Sequence, residues 1–145
     1  DKPLYEFGYG LSYTTFEYTL KNIPAEIKTG ERIKIAVNVT NTGKIDGDEV
    51  VQLYVSLPDS KLQKAVRSLQ GFKRIYLKAG ETQTVEFELT PDQFAARDAN
   101  NNPVVETGKV LISVGGKQPD VVSIADKNLV VSQVKVVGEK FLVNN

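Results

Sequence analysis

Hydrophobic and polar residues alternate along most of the chain with a period of two, the pattern of a β-strand with one buried and one solvated face. The alternation is clearest in four segments, whose hydrophobic positions are Ile33, Ile35, Val37 and Val39; Val51, Leu53, Val55 and Leu57; Val85, Phe87 and Leu89; and Val110, Ile112 and Val114. Residues 16–20, 71–77 and 129–137 are weaker candidates. About seven short strands at this spacing predict an all-β fold, an antiparallel β-sandwich.

Turn-forming residues separate the predicted strands. Clusters of Asn, Asp and Gly stand at residues 41–43, 46–48, 79–81 and 100–103, as expected of tight turns on a sandwich. Only one helical turn is predicted, with Thr90 as its N-cap and Pro91 at its first position.

The segment from Pro58 to Ser68 breaks the alternation and is partly basic, with Lys61, Lys64 and Arg67. Loops of this length in compact domains usually carry a function or contact a neighbour. The alternative is a solvated crossover between the two sheets of the sandwich.

The first 18 residues hold half of the aromatic residues of the chain. Tyr5, Phe7, Tyr9, Leu11 and Tyr13 alternate with Glu6, Gly8, Gly10 and Ser12, so an extended arm would present one aromatic edge. Since so many large apolar groups must be covered, the arm either lies on the sandwich or docks on a preceding domain. We favour docking for the part before Tyr13, with Phe16 onward entering the sandwich.

The composition excludes several classes of function. Lys plus Arg equal Asp plus Glu at 18 each, and the two signs are interspersed, so neither nucleic acid nor a membrane is an expected partner. The chain has no His and no Cys, which removes the usual general base, the commonest metal ligand and thiolate chemistry. The chain opens Asp1-Lys2-Pro3, and we expect it to be an internal piece of a longer protein.

Four ordered segments carry a resemblance to a known family: residues 3–16 (PLYEFGYGLSYTTF), residues 39–55 with the NTG and DGDEVVQLYV sequences, residues 69–75 (LQGFKRI), and residues 79–92 with AGET and TPD. Together they resemble the C-terminal domain of family 3 glycoside hydrolases, the β-glucosidases and β-xylosidases, over about residues 3–116. The resemblance implies an immunoglobulin/fibronectin type III-like sandwich with an extended N-terminal arm. The expected division is an arm at 1–14, a sandwich at 15–138 and a tail at 139–145.

The resemblance also implies the function. Such a domain is non-catalytic and braces the N-terminal catalytic domains of a parent enzyme that hydrolyses β-glucosides or β-xylosides, so the β-linked sugar is met only through that enzyme. The expected docking residues are Leu4, Tyr5, Phe7, Tyr9 and Leu11. In some members a loop reaches the mouth of the active site, and Lys61, Gln63, Lys64 and Arg67 are the candidates here. We expect a periplasmic or secreted protein without a cofactor.

Candidate catalytic or metal-binding groups do not fit their chemistry. The acidic cluster of Asp46, Asp48 and Glu49 lies in a Gly-containing turn, where Asp usually bonds its own backbone. Residues 98–102 begin like a calcium loop but lack the Gly and the Glu that such a loop requires, so a polar turn is favoured. No catalytic and no metal-binding residue is therefore predicted.

Two other functions remain open from the sequence. A carbohydrate-binding module would stack sugars on outward-facing rings, for which Tyr54 and Tyr76 are the candidates. An adhesion or spacer domain of a surface protein explains a sandwich equally well but leaves the aromatic arm unexplained.

Overall fold

The computed structural model describes residues 14–62, 67–116, 129–139 and 141–143. The strands are β1 (Phe16–Asn22), β2 (Glu26–Lys28), β3 (Ile33–Asn41), β4 (Gly47–Ser56), β5 (Ser68–Leu77), β6 (Thr82–Leu89), β7 (Ala96–Arg97), β8 (Pro103–Val105), β9 (Gly108–Gly115), β10 (Leu129–Val137) and β11 (Phe141–Leu142). A 3₁₀ turn over Pro91–Phe94 follows Thr90, as predicted.

The strands form two main sheets and one small one. The first sheet has the order β1-β3-β6, and the second has the order β2-β10-β9-β4-β5. All their pairings are antiparallel except that between β2 and β10, which is parallel. The predicted sandwich of fibronectin type III-like type is confirmed, and the short parallel pairing adds to it.

The core lies between the two main sheets and is built from the alternating positions of the sequence. Ile33, Val37 and Val39 of β3 are fully buried, and so are Val51 and Leu53 of β4. Each such side chain stabilises the fold by about 1.5–3 kcal/mol relative to an exposed position. Because the core uses one face of each strand, the opposite faces remain for contacts outside the sandwich.

The loop that follows β4 does not cross between the sheets. β4 and β5 are neighbours in the five-stranded sheet and pair antiparallel, with Gly47 opposite Leu77 and Val55 opposite Ser68. The expected alternative of a crossover is therefore wrong, since the loop joins two adjacent strands at one end of one sheet. The β4–β5 pairing also shifts register between Leu53 and Tyr54, where Gln70 is the extra residue of a β-bulge in β5.

The small sheet has the order β11-β8-β7. β7 and β8 form a hairpin around the polar turn at residues 98–102, and β11 pairs with β8. β11 falls within residues 139–145, so part of the segment expected as a tail contributes a strand.

Candidate functional site: the Asn41 junction and the β4–β5 loop

The most connected polar side chain that the structure describes is that of Asn41, which is fully buried at the end of β3. Its Oδ1 accepts hydrogen bonds from the hydroxyl of Thr14 and from the backbone N–H of Gly43 (3.0 Å). Its Nδ2 donates to the carbonyl oxygens of Ile45 (2.9 Å) and Leu77 (3.1 Å). Since a buried amide is costly unless its groups are satisfied, these bonds fix the relative positions of all four segments.

The chain meets the sandwich at Thr14, which is 8% exposed and packs against two glycines. A Cβ at Gly47 would lie 2.6 Å from Cγ2 of Thr14, and one at Gly43 would overlap the Thr14 side chain. Thr42 then donates its backbone N–H to the carbonyl of Thr15 at 2.8 Å. We call Thr14, Asn41 and Gly43 the Asn41 junction. It fixes the orientation of the chain where β1 begins.

A second polar contact links the two main sheets near the Asn41 junction. The hydroxyl of Tyr18 on β1 donates to Oε2 of Glu49 on β4 at 2.8 Å. Burial, then the charge of Glu49 and this hydrogen bond, raise the pKa of Tyr18 above its usual range. Tyr18 therefore remains a donor and serves structure. The Glu49 carboxylate lies close to Gly116, where a Cβ would be 2.5 Å from Oε2.

The first half of the β4–β5 loop is held against the turn between β8 and β9. The two carboxylate oxygens of Glu106 accept from the Ser60 hydroxyl (2.6 Å) and from the backbone N–H of Lys61 (3.0 Å). Oδ2 of Asp59 accepts from the backbone N–H of Lys109 at 3.0 Å. The loop therefore leaves β4 from a fixed root, not as a free crossover.

The structure describes only some of the residues predicted to function. Leu4, Tyr5, Phe7, Tyr9, Leu11, Gln63 and Lys64 lie outside the described residues. Lys61 and Arg67 are described and both are exposed within the β4–β5 loop. Phe16 and Tyr18 are 8% and 3% exposed, which confirms that the chain enters the core from Phe16 onward.

The acidic candidates have structural partners. Oδ1 of Asp46 accepts from the backbone N–H of Ala79 at 2.9 Å, and Oδ2 accepts from the Tyr76 hydroxyl at 3.2 Å. Oδ1 of Asp98 accepts from the backbone N–H groups of Asn100 and Asn102, both at 2.9 Å, as in the polar turn predicted there. Within the described ranges, no three His, Cys, Asp or Glu side chains are grouped so that they could hold a metal ion.

Tyr54 is not available as a ring for sugar stacking. It faces away from the core by register, yet it is only 9% exposed, whereas Tyr76 is 57% exposed. The prediction of an outward-facing platform of two tyrosines is therefore wrong at Tyr54. The alternation of the sequence predicts which face of a sheet a side chain lies on, but it does not predict whether that face is covered.

The comparison with protein families agrees with the sandwich fold. A family profile described as "Fibronectin type III-like domain" matches residues 49–118. The chain belongs to this family of domains. Residues 49–118 include most of β4 and all of β5 to β9, and β4, β5 and β9 are three of the five strands of the second sheet.

The relatives of this domain are glycosidases. The chain is 47% identical over 114 residues to a β-xylosidase of Formosa agariphila, covering 78% of the chain and 16% of the relative. It is 36% identical to the thermostable β-glucosidase B of Acetivibrio thermocellus over 99% of the chain and 19% of that relative. The chain thus spans less than a fifth of the length of these curated relatives.

A solved structure gives the same result. A β-glucosidase of Listeria innocua crystallised with glucose matches with a TM-score of 0.76 and 32% identity, over 92% of this chain and 17% of the other. The resemblance to the domain of family 3 glycoside hydrolases is confirmed. No helix within the described ranges is long and apolar enough to cross a membrane.

Proposed function

We propose that this fibronectin type III-like domain is a non-catalytic support of a β-glycosidase, and that it braces the catalytic domains while the parent enzyme hydrolyses β-glucosides or β-xylosides. The observation that carries the proposal is the Asn41 junction. The fully buried amide of Asn41 holds Thr14 against Gly43 and Gly47, so the chain passes into the sandwich through a rigid point. A rigid connection fixes the orientation of whatever precedes it, whereas a flexible linker would not.

The aromatic arm is the proposed contact with the preceding domain. The predicted docking residues are Leu4, Tyr5, Phe7, Tyr9 and Leu11, and aromatic side chains are enriched at the cores of interfaces. Because the junction at Thr14 is fixed, docking of the arm would set the position of the whole sandwich. The partner in this proposal is the catalytic part of the same polypeptide.

The β4–β5 loop is the proposed element near the active-site mouth. Lys61, Gln63, Lys64 and Arg67 supply donors and positive charge for sugar hydroxyls. The clamp of Glu106 on Ser60 and Lys61 supports this role, since a loop with a fixed root can hold its tip in place. Substitution of these four loop residues in the parent enzyme would raise KM for longer substrates more than it lowers kcat.

The test uses the purified chain and the parent enzyme with and without it. We expect the purified chain to release no product from aryl β-glucosides or aryl β-xylosides, and removal of the domain to lower the thermal stability of the parent. Measurable turnover by the pure chain would refute the non-catalytic role. A parent that keeps full stability and activity without the domain would refute the bracing role.

The other two functions have weaker support. Burial of Tyr54 removes one of the two rings on which a carbohydrate-binding module would depend. An adhesion or spacer role does not explain why relatives of this chain are glycosidases. A periplasmic or secreted location stays a prediction, which cell fractionation of the source organism would test.

A further inference from the structure

The outer faces of the two main sheets differ in chemistry. On the three-stranded sheet the outward positions are polar and bonded to one another across β3 and β6. The Thr40 and Thr82 hydroxyls lie 2.7 Å apart, and the Thr84 hydroxyl donates to Oδ1 of Asn38 at 2.7 Å. This face is therefore suited to water.

The outer face of the five-stranded sheet is apolar along its edge strand. Phe72 is 65% exposed, Tyr76 57%, Leu69 46% and, on the neighbouring strand, Val50 37%. The register places them on one face, since Val50 lies opposite Arg74, Gln52 opposite Phe72, and Tyr54 opposite Leu69. We call the four side chains Val50, Leu69, Phe72 and Tyr76 the β5 face.

Strand β5 carries hydrophobic residues on both of its faces. Ile75 and Leu77 point into the core and are 8% and 0% exposed, while Phe72 and Tyr76 point outward. Strands with hydrophobic residues on both faces are typical of sheets that are covered on both sides. Arg74 and Asp48 share the outward face with these hydrophobic side chains. Exposed hydrophobic residues grouped on one face of a sheet mark a contact site, so the sequence of β5 indicates a covering.

The position of the β5 face relates it to the Asn41 junction. Tyr76 at one end of the face donates to Asp46, and the neighbouring Ile45 gives its carbonyl to the amide of Asn41. The patch therefore begins beside the point where the chain enters the sandwich. The aligned part of this chain spans only 16–19% of these curated relatives.

We propose that the β5 face docks on the domain that precedes this chain in the parent polypeptide. This inference rests on the proposed support function and names the surface that performs it. The expected partner surface is largely apolar. Arg74 lies between Phe72 and Tyr76 in sequence, its side chain is 74% exposed, and it forms an ion pair at 3.9 Å with Asp48 on the same face. Aromatic residues and Arg are enriched in interfaces of this kind.

Thiol labelling tests the proposal, because the chain has no Cys. We would introduce F72C on the β5 face and, as a matched control, E86C on the outer face of the three-stranded sheet, where Glu86 is exposed. Labelling rates are measured in the chain alone and in the parent protein with its other reactive cysteines replaced. We expect the parent to slow labelling of F72C at least about tenfold and to leave E86C unchanged, since interface cores exclude solvent.

Three outcomes would overturn the proposal. Equal labelling of F72C in the chain and in the parent would mean that no domain covers the face. Slow labelling that depends on the concentration of the chain alone, with a dimer in sedimentation, would assign the face to a second copy. Protection of F72C in the chain by cello- or xylo-oligosaccharides would assign it to sugar.

A stability measurement separates this proposal from the support function. Phe72→Ser is expected to lower the melting temperature of the parent without changing that of the chain. The control is Leu20→Ser on β1, where Leu20 is another exposed hydrophobic residue (40% exposed). This control should lower the melting temperature of the parent no more than that of the chain. If removal of the whole domain destabilises the parent but Phe72→Ser does not, the β5 face is wrong and the support function stands. If removal has no effect, the support function fails on its own.

Discussion

The Asn41 junction and the β5 face are neighbours with opposite chemistry. The junction is buried and polar, and every group of the Asn41 amide has a partner in this chain. The β5 face is exposed and mostly apolar, and its most exposed side chain, Phe72, is 65% exposed. The first therefore stabilises the domain by itself, while the second can stabilise only a complex of the domain with something else.

This difference separates residues that stabilise the isolated chain from residues that would stabilise only its complex with a partner. Changes at the Asn41 junction should lower the stability of the isolated chain, and changes on the β5 face should not. Four substitutions, ordered by expected effect on the isolated chain, test the contrast.

Asn41→Ala should have the largest effect. It leaves the Thr14 hydroxyl, the Gly43 N–H and two carbonyl groups without their partner. Each buried unsatisfied group costs about 1–3 kcal/mol, so a total loss of about 3 kcal/mol or more is expected in urea unfolding of the chain. Asn38→Ala is the control, because Asn38 lies on the same strand and bonds Thr84 on the outer face. Equal losses from the two variants would contradict the role of the junction.

Gly43→Ala should follow. The added Cβ overlaps the side chain of Thr14, which must move out of the junction. Overpacking of a tight site costs about 1–3 kcal/mol, visible as a lower melting temperature. Gly80→Ala is a useful comparison, since nothing lies within 4 Å of a Cβ there and its cost arises from the positive φ of 82° alone. The steric interpretation predicts that Gly43→Ala costs less in a Thr14→Ala background, which lacks the Oγ1 atom nearest the added Cβ, and equal costs in the two backgrounds would contradict it.

Tyr18→Phe should cost about 1–2 kcal/mol, since it removes a hydrogen bond to a carboxylate but keeps the ring in the core. The loss should also depend on pH. The folded state raises the pKa of Tyr18 above its ordinary value of 10.0, so its contribution is complete below about pH 10 and declines as the pH rises above that value. Stability curves of the chain and of Tyr18→Phe between pH 7 and 11 should therefore converge at the alkaline end. Parallel curves would show that the Tyr18 hydroxyl is not the titrating group.

Phe72→Ser in the isolated chain should have the smallest effect, within about 0.5 kcal/mol, because exposed side chains away from special features contribute little. Urea unfolding of the two proteins side by side is sufficient. A loss comparable to that of Gly43→Ala would mean that Phe72 is already covered in this chain, and the contrast between the two regions would disappear.

The sequence predicted the long strands well, because seven or more residues show the alternation that one buried face imposes. β3 and β9 are examples, with every second residue in the core. β2, β7, β8 and β11 were missed, since two or three residues cannot display a period. The parallel pairing of β2 with β10 is a tertiary contact that no local pattern contains.

The site was harder to predict for two different reasons. Asn41 was assigned to a turn, although the inward series of Val37 and Val39 continues to it in register and marks it as buried. That signal was in the sequence and was overlooked, because Asn before Thr-Gly is also a common turn residue. Tyr54 had its face assigned from the same alternation, but its burial depends on what covers that face.

The β-bulge at Gln70 bears on how the domain behaves when it is by itself. β5 is an edge strand, and a straight, apolar edge invites other chains to add to it. The extra residue twists the edge out of the plane that a second strand would need, and the carbonyl of Gln70 already accepts from Nε2 of Gln93 at 2.9 Å. The strand that carries the exposed hydrophobic residues of the β5 face is therefore a poor template for fibril growth.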